Sequence, residues 1–163
     1  MTAKSSQLQI RVTPRQKSAL KQRAELAGMD VSAFVLARAL PDEAARFAEL
    51  LRSLGDDRRE RFVLAELSDF LEGCAPAAFA DAVADAKVAR LTPRTANYVA
   101  AMVELAAQRK RLAPPAWTAT VAPLDAPWFG SSLKSLRPYL LSAAPVPFRR
   151  RNIFIDSSVG DRV

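Results

Sequence analysis

The sequence predicts a mainly helical protein in three parts: a strand with two helices over 1–41, a helical bundle over 42–112, and a largely extended tail over 113–163. Three observations lead there. Between Pro14 and Lys110 apolar residues recur every three or four positions, among many alanines. Before them, Leu8, Ile10 and Val12 alternate with Gln7, Gln9 and Arg11, the two-residue period of a strand. After Leu112, seven prolines alternate with Trp117, Trp128, Phe129, Tyr139, Phe148 and Phe154. Half of the residues are hydrophobic, which excludes wholesale disorder.

The first element is the strand Gln7–Val12. Thr13 is suited to cap the helix that follows, with Pro14 at its first position and Gln16 placed to close a capping box. That helix is predicted over Pro14–Ala27, with Leu20, Ala24 and Ala27 inward. Gly28 ends it in a left-handed cap. Asp30 or Ser32 opens a second helix over Ala33–Leu40, burying Phe34, Val35 and Ala39, and Pro41 stops it. So short a unit buries little surface, and a lone strand leaves its backbone unpaired. Two copies that pair their strands antiparallel remove both problems and yield a homodimer through the N-terminal strand.

The run Gln-Leu-Gln-Ile-Arg-Val-Thr-Pro, followed by Gly28-Met29-Asp30-Val31-Ser32-Ala33-Phe34-Val35, resembles the ribbon-helix-helix family. The resemblance covers about a quarter of the chain. It implies a dimeric β-ribbon plus helices that binds DNA, with Gln7, Gln9 and Arg11 reading base edges in the major groove. Ser32, at the start of the second helix, would contact backbone phosphate, with Lys4 and Arg15 as more generic phosphate contacts.

In the middle segment the spacing predicts helices over Glu43–Leu54, Arg58–Glu72, Ala77–Arg90 and Pro93–Lys110. Phe47, Leu50 and Leu51 are expected inside the first, and Phe62, Leu67, Phe70 and Leu71 inside the second. Phe79, Val83 and Val88 follow in the third, and Tyr98, Met102, Leu105 and Ala106 in the fourth. Thr92-Pro93 repeats the helix start of Thr13-Pro14. Little catalytic chemistry is visible. There is no histidine, Cys74 is the only cysteine, and Asp81 and Asp85 share a helix face with no accompanying base. No metal site, cofactor or catalytic residue is expected, and the chain is read as a non-enzyme.

The tail carries two tryptophans, which linkers rarely do. It is therefore expected to pack on a surface, either its own middle segment or another protein. Leu133–Leu141 has room for one short helix, and Ile153-Phe154-Ile155 for a strand added to a sheet edge. The runs Pro-Pro-Ala-Trp at 114–117, Pro-Trp-Phe at 127–129, Leu-Arg-Pro-Tyr-Leu-Leu at 136–141 and Pro-Phe-Arg-Arg-Arg-Asn-Ile-Phe-Ile at 147–155 resemble the tails of bacterial antitoxins. Some of those antitoxins pair with toxins of the nucleotidyltransferase type. The resemblance implies a toxin-binding set of Trp117, Trp128, Phe129, Arg137, Tyr139, Phe148, Arg149, Arg150, Arg151 and Phe154.

Charge supports a two-ended arrangement. The formal net charge is +7, carried by the ends: residues 1–40 hold seven Lys or Arg against two acids, and residues 113–163 six against three. No stretch is apolar enough to span a membrane, and Met1–Ser6 has no signal-peptide core, so a cytoplasmic protein is expected. The function expected is a type II antitoxin. It would bind operator DNA through its head, autoregulate its operon, and silence a cognate protein toxin by direct binding. The alternative is a ribbon-helix-helix transcriptional repressor whose remaining part binds a ligand or oligomerises.

Overall fold

The computed structural model describes residues 9–39, 42–55 and 59–156. The chain divides into two compact units, residues 1–42 and 43–163.

In the first unit residues 9–13 form no strand. Ile10 and Val12 are exposed rather than set on a buried ribbon face. This overturns the N-terminal β-ribbon and the ribbon-helix-helix resemblance built on it, and with them the homodimer through that strand. The physical reason is local. A strand needs a neighbour for its N–H and C=O groups, and residues 9–12 have none among the described residues. The helix signal at Thr13 then takes over. Its hydroxyl accepts from the Gln16 amide, while the Gln16 side chain accepts from the Thr13 amide at 2.9 Å, a complete capping box. Helix α1, Pro14–Leu26, follows. Gly28 at φ +65° turns the chain, as a residue without Cβ does readily. Helix α2, Val31–Ala39, starts two residues before its expected position. Its cap is Asp30, whose carboxylate accepts from the Ala33 amide at 2.9 Å. Ala24 and Phe34 are buried and Val35 is half-buried. The side chain of Ala39 lies outside the described residues.

The second unit contains α3 (Glu43–Ser53), α4 (Glu60–Gly73), α5 (Pro76–Ala82), α6 (Pro93–Arg109), α7 (Ala116–Thr120), β1 (Trp128–Phe129), α8 (Arg137–Ala143), α9 (Val146–Arg149) and β2 (Ile153–Phe154). Phe47 and Leu51 of α3 pack on Leu67, Phe70 and Leu71 of α4, on Phe79 of α5, and on Val99 and Val103 of α6. The Phe47 and Phe70 rings stack with centroids 6.1 Å apart. Phe62, expected in this core, is 71% exposed; Val63 takes the inward position one residue later. Helix α5 stops at Ala82 instead of continuing to Arg90. The indole of Trp117 donates to the Val83 carbonyl at 2.9 Å and so supplies a partner where the helix ends.

The tail is not extended. Phe148, Ile153 and Ile155 form a second cluster on Ala101 of α6, joined by Tyr98, Met102, Leu105 and Trp128. Residues 153–154 do form a strand. It pairs in parallel with the chain's own residues 128–129, Trp128 opposite Ile153 and Phe129 opposite Phe154, and these are the two strands of the described residues. Prolines exclude long helices here, but five at helix starts or caps (Pro115, Pro138, Pro145, Pro147 and, in the middle segment, Pro93) instead begin short or long ones.

Candidate functional site

Two features of the second unit bring chemical groups together. The first is a buried polar hub on α6. Arg151 lies two residues after α9 and points inward, its side chain 7% exposed. One terminal nitrogen donates to the Glu104 carboxylate at 2.6 Å and to the Thr118 carbonyl at 2.7 Å. The other donates to the Asn97 amide oxygen and the Val121 carbonyl, each at 3.2 Å. Asn97 returns hydrogen bonds to the Pro93 and Ala122 carbonyls at 2.9 Å. The next residue, Asn152, sits at φ +58° and donates to the Leu124 carbonyl at 2.6 Å. These residues therefore fasten segment 118–124 onto α6. The Arg151 Nε is buried without a partner among the described residues.

The second feature is a cleft of about 620 Å³ between α4 and α6. Leu64, Ala65 and Leu71 line it from α4; Tyr98, Met102, Leu105 and Ala106 line it from α6; Phe148 closes it from α9. Arg61, Ser68, Asp69, Glu72, Arg109 and Lys110 form its polar rim. The volume and apolar lining fall within the range of ligand-binding clefts. At one end Glu60 binds Arg94 at 2.6 Å and the Thr95 hydroxyl at 2.6 Å. At the other Glu72 binds Arg109 at 3.0 Å, and its carbonyl accepts from Lys110 at 2.9 Å. Tyr98 stands edge-on to Trp128 and to Phe148. Burial, aided by the Glu60 carboxylate, pushes its phenol up to about 12, so it is a neutral donor at ordinary pH.

The residues expected to form sites are dispersed. Gln7 and Lys4 lie outside the described residues. Gln9, Arg11, Arg15 and Ser32 are exposed in the first unit, without a strand to array them. In the tail, Phe148, Arg151 and Phe154 are buried in the unit's own interior, and Trp117 packs against the first core. Trp128 and Phe129 are half-buried on β1, and Phe129 stacks on Phe154. Arg149 and Arg150 are exposed, as are Arg137, whose guanidinium lies 4.8 Å from the Phe129 ring centroid, and Tyr139, whose hydroxyl meets Asp156 at 3.3 Å. Of the three consecutive arginines, one is thus an internal clamp and two face outward. The groups that sequence reasoning missed are Asn97, Glu104, Glu60 and Arg94. Asn97 left a signal: it falls between Pro93 and Ala101 on the inner face of α6, where an unpartnered amide is costly.

Among the described residues no group of three or more His, Cys, Asp or Glu is placed to hold a metal ion. None of their helices is long and apolar enough to cross a membrane.

Residues 2–67 match a family model described as NikA-like, Mobilization protein NikA. The match spans about two fifths of the chain and ends within α4. Most of the cleft and all of the Arg151 hub lie beyond it. No curated protein matches the chain, and no solved structure does. The description of that model names mobilization and no antitoxin. With no N-terminal strand among the described residues either, the antitoxin reading, its toxin and operator partners, and the alternative of a ribbon-helix-helix repressor lose their support.

Proposed function

We propose that this chain is a mobilization protein that works in the cytoplasm as a non-catalytic accessory, binding other components rather than turning over a substrate. The observation that carries the reading is the match of residues 2–67 to the NikA-like model. It runs through the first unit and into α4, so it covers two helices whose caps, turn and buried pair form one coherent module. The non-catalytic part is supported by how the charged groups of the second unit are used. Arg151 is spent on Glu104, and Glu60 is held by Arg94 and by a Thr95 hydroxyl that is itself buried, so neither carboxylate is presented to a substrate as a free base. The cleft between α4 and α6 then serves binding.

The test is genetic. Deleting the gene from a donor strain should lower the frequency at which a mobilizable element passes to recipient cells, and the full chain supplied in trans should restore it. An unchanged frequency in the deletion strain would remove the reading. Restoration by residues 43–163 alone would show that the matched head is not what the function needs.

A further inference from the structure

The cleft between α4 and α6 has a shape and a set of unspent groups that indicate what it binds. Glu60 meets Arg94 at one end of the helix pair and Glu72 meets Arg109 at the other, so the two helices run parallel. From Arg61 to Glu72 the cleft follows eleven helical steps, about 17 Å. Its lining residues step regularly: 61, 65, 68 and 72 along α4, and 98, 102, 105 and 109 along α6. Leu64, Ala65, Tyr98, Met102 and Leu105 remain only half-buried. This three- and four-residue step is the ridge spacing on which another helix seats. An enclosed acyl pocket needs no such periodicity.

The two ends differ in charge. At the Glu72 end, acids and bases oppose each other: Asp69 and Glu72 stand with Arg109 and Lys110. At the other end Arg61 makes no ion pair with a described residue. The Tyr98 hydroxyl makes no hydrogen bond to one, and the nearby Glu60 is occupied by Arg94 and Thr95. That end therefore presents a cation and a neutral donor with no internal acceptor.

We infer that this cleft receives one amphipathic helix of a partner protein. The helix is apolar along the face that meets Leu64, Met102 and Leu105, and it carries a carboxylate at the end that meets Arg61 and Tyr98. Apolar contacts supply the affinity, and the carboxylate fixes the direction in which the helix lies. The inference rests on the geometry of the cleft alone and stands apart from the mobilization reading.

The experiment is a selection on the full chain from a library of helical peptides of about fifteen residues displayed on a stable scaffold, since shorter free helices are marginal in water. The sequences recovered should carry apolar residues at i, i+4 and i+7 and an Asp or Glu near one end. M102E should abolish their binding. R61E should weaken them by about tenfold and favour the same peptides with Lys in place of the acid. Met102 touches both cores, so circular dichroism checks that M102E folds; if it does not, the charge swap at the exposed Arg61 decides alone. No enrichment, or enrichment indifferent to R61E, would overturn the proposal. So would competition by dodecanoate but not by peptide, which would assign the cleft to a lipid. A dimer of the free chain dissolved by M102E would assign it to a second copy.

Discussion

Arg151 shows how one residue type serves opposite ends. Beside Arg149 and Arg150 it reads as part of an exposed cationic cluster, yet it is buried and makes four hydrogen bonds. Removing one member of a buried ion pair strands the other, at about 3–5 kcal/mol. R151A should therefore lower the urea midpoint by far more than R149A or R150A, whose side chains are exposed. R151K should recover only part of the loss, because an ammonium cannot fork to Glu104, Asn97, Thr118 and Val121 together. Tyr98 offers a pH test. Its phenol holds its proton to about 12, against 10 for an unburied tyrosine. The unfolded chain therefore loses that proton first, and the stabilisation, complete below pH 10, is lost as pH rises toward 12. The alkaline loss of stability should be shallower in Y98F, and an ultraviolet titration of the native protein should lose its highest step.

At the scale of elements, caps were more legible than pairings. Thr13, Gln16, Gly28, Asp30, Thr92 and Pro93 start or stop helices close to where their chemistry indicates, because a cap is satisfied by residues a few positions away. Residues 9–12 form no strand, and α5 ends short of Arg90, for the converse reason. A strand needs a distant partner, and α5 stops where the indole of Trp117 donates to the carbonyl of its capping residue Val83. Periodicity also allowed Phe62 and Val63 to compete for one inward direction, and only contact with α3 and α6 separates them. Helix α3 is attached through Phe47, Leu50 and Leu51, of which Phe47 is fully buried in the core shared with α4 and α5. F47A should cost about 3–5 kcal/mol, read as a lower denaturation midpoint with no change in the helix content of the surviving native state.

For the whole molecule, the division at Asp42 leads to a further expectation. Among the described residues, the cores of the second unit are built from Phe47 onward. A chain of residues 43–163 should accordingly melt cooperatively with its helical dichroism intact; a non-cooperative melt would show that its fold needs the head. The first unit buries chiefly Ala24 and Phe34 and leaves Leu26 and Met29 exposed, which is little surface for independent stability. The sequence by itself determined the helical character, the capped starts and the turn at Gly28, since these depend on neighbours within one or two turns. Tertiary structure alone decided that Arg151 faces inward, that β2 pairs with the chain's own β1, that the aromatic tail folds onto α6, and that α4 and α6 stand apart as a cleft. Each of these depends on groups tens of residues away in sequence, and neither composition nor periodicity records which distant surface a side chain will meet.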